Sequence, residues 1–187
     1  MPIAALPVRS AKEIGERLLA TFLCNAVAVD PELRVEILEW IAAQHFETIF
    51  SPRETAFLAN PEPSERDLIQ FGWYVEVTVV LGWAAGLLES LPAPQEQSFL
   101  GELVDRIPVL GEPLERFISE VCPRPAAIIH EARQCVEDLH ARAISDHARG
   151  AVIRYGTDIE VAQEQHRALN WLACVEDAEW DLVPTDT

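Results

Sequence analysis

The chain has 187 residues, 49% of them apolar, enough for one domain with a sizeable core. Its net charge is −17, from 31 acidic against 14 basic residues, and Lys12 is the only lysine. Such an acidic surplus repels phosphate backbones and anionic lipid, which argues against a nucleic-acid or membrane binder and favours basic partners, cations or plain solubility.

Cys24, Cys122, Cys135 and Cys174 include no Cys-x-x-Cys pair and read as four reduced thiols in a reducing cytosol. Cys24, Cys135 and Cys174 fall in apolar helical patterns, where a thiol acts as a small hydrophobe. Residues 1–9 read as an irregular N-terminal segment. Met1 to Pro7 are too short and uncharged for a signal peptide, which points to a cytoplasmic protein.

From Ser10 the pattern is helical. Ile14, Leu18, Leu19, Phe22 and Leu23 form an amphipathic stripe, with Ser10 and Glu13 as a capping box. Asp30-Pro31-Glu32 opens a second helix that buries Leu33, Ile37, Trp40 and Ile41. Ser51-Pro52-Arg53-Glu54 opens a short third one, stopped at Asn60-Pro61. Ser64 then starts the longest apolar segment, expected as one central helix over about 65–90 and buried nearly all round. Glu76 inside it, with no basic flanks, argues against a membrane span. The alternation from Val75 to Val80 leaves a strand as the alternative. Gly82 and Gly86, four apart, suggest close approach of a neighbouring helix.

After the turn at Pro92-Ala93-Pro94, helix pieces are expected around Phe99–Ile107 and Pro113–Val121. A helix of about six turns should run from Pro125 to Arg149 and end at Gly150. Its apolar side is read as Ile128, Ile129, Ala132, Val136, Leu139, Ala143 and Ile144. Residues 152–156 are read as loop. Thr157 or Asp158 should cap a last helix reaching about Cys174. Residues 175–187 carry Trp180 and read as a tail docked on the domain. The expected fold is a single all-α domain of six to eight helices packed around the 65–90 helix.

Several stretches together resemble one bacterial family, catalogued as domain of unknown function 4272. They are Ser51-Pro52-Arg53-Glu54 with Phe57-Leu58; Asp67-Leu68-Ile69-Gln70 with Trp73 and Glu76; Gly82-Trp83-Ala84-Ala85-Gly86-Leu87; Arg124-Pro125 before a helix holding Leu139-His140-Ala141; and Arg167-Ala168-Leu169-Asn170-Trp171-Leu172 followed by Trp180-Asp181 and Thr185-Asp186-Thr187. The family pattern commonly has an arginine just before the His166 position, where this chain has Gln165. After the Trp73 position it often has a basic or polar residue, where this chain has Tyr74-Val75. The resemblance implies a small, soluble, helical protein and no reaction.

Glu76 is the sharpest local inconsistency, a carboxylate within an apolar helix, and a buried charge requires a partner. Arg167 is the favoured partner, because a guanidinium matches a carboxylate in two places. Asn170 in a helix interior implies a used amide, expected to hold the returning tail. Glu76, Arg167, Asn170, Trp171, Trp180 and Asp181 are therefore the candidate binding residues. Glu137 and His140 have the Glu-x-x-His spacing of di-metal bundles, but that motif occurs only once, and His147 is too far along the helix to share an ion. No catalytic residue and no cofactor is indicated. The reading favoured by the sequence is a non-enzymatic protein that binds a basic protein partner. The alternatives are a small-molecule binder or enzyme around Glu76, Arg167 and Asn170, and a metal protein using Glu137 and His140. The oligomeric state is left open.

Overall fold

The computed structural model describes residues 7–108 and 110–185. The N-terminal hexapeptide and the final Asp186-Thr187 of the expected tail lie outside those residues. The helices are α1 (Ala11–Val29), α2 (Arg34–Gln44), α3 (Pro52–Ala59), α4 (Glu65–Gly72), α5 (Tyr74–Ala84), α6 (Gly101–Val104), α7 (Leu114–Glu120), α8 (Ala126–Ala148) and α9 (Ile159–Leu172), with short 3-10 turns between them. No strand occurs among the described residues, so the architecture is all-α. No described helix is long and apolar enough to cross a membrane.

Local chemistry sets most helix starts. Ser10, Ser51 and Ser64 each complete a reciprocal capping box, with Glu13, Glu54 and Asp67 as the third helical residue. Asp158 caps α9 through the Val161 N–H. Asp30 caps a 3-10 turn at Pro31–Leu33 rather than α2 itself. Gly150 closes α8 as expected. It donates to His147 and the next residue, Ala151, donates to Asp146, the two bonds of a Schellman ending.

The expected 65–90 helix is instead two helices and a turn. It breaks at Gly72–Trp73, where the Asn25 amide of α1 donates to the freed carbonyls of Phe71 (3.2 Å) and Gly72 (2.9 Å). A partner distant in sequence therefore stabilises the kink. α5 is buried at every residue and packs on α1 and α9. It ends at Gly86, which has φ +81° and is not helical. Gly86 donates to Trp83, and Leu87 donates to Gly82, a second Schellman ending. Gly82 alone serves a close approach from within the helix. The side chain of Leu103 on α6 lies where a Cβ would be, 2.8 Å away.

Two apolar stripes differ from expectation. On α8 the buried residues include Ile129, Val136, His140 and Ala143, while Ile128 and Ile144 are exposed. The helix is rotated to turn His140 inward. Of the three cysteines read as small hydrophobes only Cys24 is buried; Cys135 is exposed and Cys174 intermediate. All four thiols are free. Only the four residues Gly101–Val104 are α-helical in the stretch expected to hold helix pieces around Phe99–Ile107.

Candidate functional site

The C-terminal segment folds back over α9 and α5. Trp180 is 3% exposed, and its indole N–H donates to the Tyr74 hydroxyl (3.2 Å). Its ring meets Trp171 edge-on at 5.7 Å, and the Arg17 and Arg167 guanidiniums lie over it at 4.8 and 4.5 Å. Three side chains hold the returning backbone. Arg167 donates to the Trp180 carbonyl (3.3 Å), Arg9 to Ala178 (3.0 Å), and Asn170 to Pro184 (2.8 Å). Asp181 accepts from the Arg53 backbone N–H at the start of α3 (3.1 Å).

Glu76 and Arg167 do not pair. Glu76 is fully buried, but its oxygens accept from the Ser98 N–H (2.6 Å), the Ser98 hydroxyl (2.8 Å) and the Gln165 amide (3.3 Å). Its donors are neutral. Arg167 turns the other way, onto Trp180, Tyr74 and Glu164. Burial raises the Glu164 carboxyl pKa, against the pull of Arg167. Glu76, Arg167 and Asn170 therefore serve separate contacts and do not converge on one cavity.

The buried ion pair of the protein is elsewhere. Arg17 on α1 donates to Glu54 on α3, at 6% and 0% side-chain exposure. The same Glu54 oxygen accepts the Ser51 N–H of the capping box (2.8 Å), so one carboxylate both starts α3 and ties it to α1. The available signal was Arg17 itself, which stands on the apolar stripe of α1 between Ile14 and Leu18. Arg34 is stranger. It is 6% exposed, and its three guanidinium nitrogens have no hydrogen-bond partner; the Phe57 ring lies 6.0 Å from the guanidinium.

Between α8 and α9 lies a closed polar network, and its hydrogens can be assigned by elimination. Arg133 can only donate, so Asn170 Oδ1 accepts from it (2.8 Å). The Pro184 carbonyl can only accept, so Asn170 Nδ2 donates to it. The second Nδ2 hydrogen then points to His166 Nε2 (3.0 Å), which must be an acceptor. His166 therefore carries its proton on Nδ1 and donates to His140 Nδ1, 3.3 Å away. That leaves the His140 proton on Nε2, which is buried without a partner. Both rings are neutral in this arrangement. Burial depresses both pKa values, and for His166 the neighbouring imidazole adds to the effect.

This network also answers the metal reading. Glu137 pairs with Arg133 (3.1 Å) rather than turning to His140, and His147 is exposed. A metal on the two Nδ1 atoms would force His166 Nε2 to carry a proton against the Asn170 amide donor. No group of three His, Cys, Asp or Glu among the described residues is placed to hold an ion.

A different surface is open. The outer side of α1, the α4–α5 junction and the 97–105 segment enclose a cavity of about 690 Å³. A second hollow of about 400 Å³, between α1, α2 and residues 104–110, shares the walls Phe22, Ala26, Leu33 and Val104. Together they make one apolar trough. Val29 and Phe99 on its edge are 76% and 87% exposed. Among the described residues, the charged ones lining it are Asp30 and Asp105, both acidic. None of the six candidate residues read from the sequence lines it. Its signal would have been Val29 and Phe99, apolar residues falling outside the helix stripes.

The family described as Domain of unknown function (DUF4272) matches residues 4–183. The chain belongs to this family. No curated protein and no solved structure matches it. Membership in the DUF4272 family thus agrees with the resemblance and assigns no reaction.

Proposed function

We propose that this DUF4272 protein is a binding module for a basic protein partner. One observation carries the reading. The residues with chemical potential (Glu76, Arg167, Asn170, His140 and His166) are each engaged in closed internal contacts, whereas an acidic-edged apolar surface stays open. A net charge of −17 raises the local concentration of cationic partners and speeds their encounter. Apolar surface then provides the binding energy.

The test is reconstitution. Proteins captured by the tagged chain from its source cells are identified, purified and titrated against it at rising salt. A basic partner is expected, with affinity falling as ionic strength rises. Failure of every purified candidate to bind, or binding confined to acidic partners, overturns the proposal.

A further inference from the structure

Resting on that reading, we infer that the trough along α1 is the docking groove, and that its occupant is an amphipathic helix with apolar residues on one face and Lys or Arg on its flanks. Charge decides the partner's sign. The trough's charged lining is Asp30 and Asp105, and exposed Glu32 and Glu102 stand beside it. A helix laid in the groove would place its flanking cations against those carboxylates.

Backbone chemistry decides the partner's conformation. The described residues offer no strand, hence no row of free N–H and C=O groups on which an extended peptide could pair. The trough walls are side chains such as Phe22, Ala26, Leu33 and Val104. A segment entering such a groove loses water from its own backbone and must satisfy that backbone internally, which a helix does. Ala26 keeps the floor low, while Val29 and Phe99 stand at the edge, where a helix ridge would cover them.

The probe is a synthetic peptide of Leu and Lys, roughly 18 residues or five turns, with all Leu on one helical face. Its control is a scrambled peptide of the same composition with no apolar face. Binding is followed by fluorescence anisotropy on the full chain. The groove variant is Val29→Asp/Phe99→Asp, and the control variant is Val152→Asp/Val35→Asp, all four residues being exposed. Both variants add the same negative charge, so a purely electrostatic contact with the Lys peptide would strengthen equally in each.

The wild type and control variant should bind the amphipathic peptide and prefer it over the scramble. The groove variant should bind it at least about tenfold more weakly, the loss typical of a central anchor. Asp30→Asn, which keeps the cap on Glu32, should flatten the salt dependence. If both peptides bind all variants alike, the groove is not the site, while the basic-partner reading stands. If neither peptide binds the wild type, groove and reading fall together. Circular dichroism melting of each variant separates lost docking from lost folding.

Discussion

Acidification should destabilise the fold through the His140–His166 pair, by an amount that follows from the hydrogen assignment. In the unfolded chain each imidazole titrates near about 6.5. In the folded chain both pKa values are depressed, by burial first and for His166 also by its neighbour. As pH falls the unfolded state therefore takes up protons before the folded state does. The contribution to stability is complete above about 6.5 and is lost as pH descends from there toward the folded values. At pH 5.5 each imidazole held neutral costs about 1.4 kcal/mol relative to pH 7.5, so the pair costs up to about 3 kcal/mol. Urea unfolding followed by tryptophan fluorescence at pH 7.5, 6.5 and 5.5 measures this. Asp146, held at about 2 by Arg154 and Arg149, does not titrate in the window. Glu164, whose pKa is raised by burial, acts with the opposite sign. The comparison variant His140→Gln removes such background terms. Its amide oxygen can still accept from His166 Nδ1, and it should show about half the loss. Equal loss in the two proteins, or stability flat from pH 7.5 to 5.5, would refute the neutral-pair assignment.

Three further outcomes are expected. Arg17→Met strands the fully buried Glu54 and should cost about 3–5 kcal/mol, while the double variant Arg17→Met/Glu54→Gln should recover much of that; denaturant titration of the wild type, the two single variants Arg17→Met and Glu54→Gln, and the double gives the coupling, and additive losses would contradict a pair. Gly86→Ala meets two obstacles, a left-handed φ of +81° and the Cys122 carbonyl 2.7 Å from the new Cβ, whereas Gly150→Ala meets only a φ of +64° in open space. The first should therefore lower stability by clearly more than the roughly 1–2 kcal/mol of the second, and equal losses would show that residue 122 yields freely. Arg34→Met removes a buried cation without hydrogen-bond partners and should raise stability by about 1 kcal/mol or more; a lower melting temperature would instead reveal an anion or polar partner holding Arg34 in solution.

The helices were legible where their causes are local. Ser10, Ser51, Ser64 and Asp158 act within four residues of themselves, and Gly150 closes α8 with bonds to its own last turn. The 65–90 segment was misread where its cause is distant. Its apolar composition permits one helix, but the Asn25 amide, from a different part of the chain, donates to the carbonyls of the broken turn. Glu76 was legible as an anomaly and illegible as a contact. A carboxylate in an apolar run must be satisfied, but nothing in the sequence ranks Ser98 and Gln165 above Arg167 as its donors. Gln165 presents a neutral amide to Glu76, where a charged donor would have been easier to foresee. The inward turn of His140 was hidden for a related reason. α8 could bury either of two overlapping stripes, and packing on α9 chooses the one containing the histidine.

The stretches that carry the family resemblance meet the trough at the α4–α5 junction, where Gly72 and Val75 line it, and otherwise lie elsewhere. Glu54, Trp73, Gly86, Arg124, Arg167, Asn170 and Trp180 start, break or end helices or bind the tail to α5, α3 and α9, and Glu76 ties Ser98 and α9 to α5. Arg124 shows the pattern well. It donates to the carbonyls of Trp83, Leu88 and Glu89, and so satisfies the backbone where α5 ends. These contacts hold the helices and the tail of this chain in place. Val29, Phe99 and Val104 lie outside all of those stretches and are exposed, so the core requires little of them. A motif built from folding constraints identifies relatives without revealing a partner. The partner should instead be set by the positions that folding leaves unconstrained. Exchanging the exposed trough residues Val29, Phe99 and Val104 between two DUF4272 proteins should therefore exchange their partners while leaving both melting temperatures nearly unchanged. Exchanging Arg167, Asn170 and Trp180 should alter stability and leave partner choice as it was.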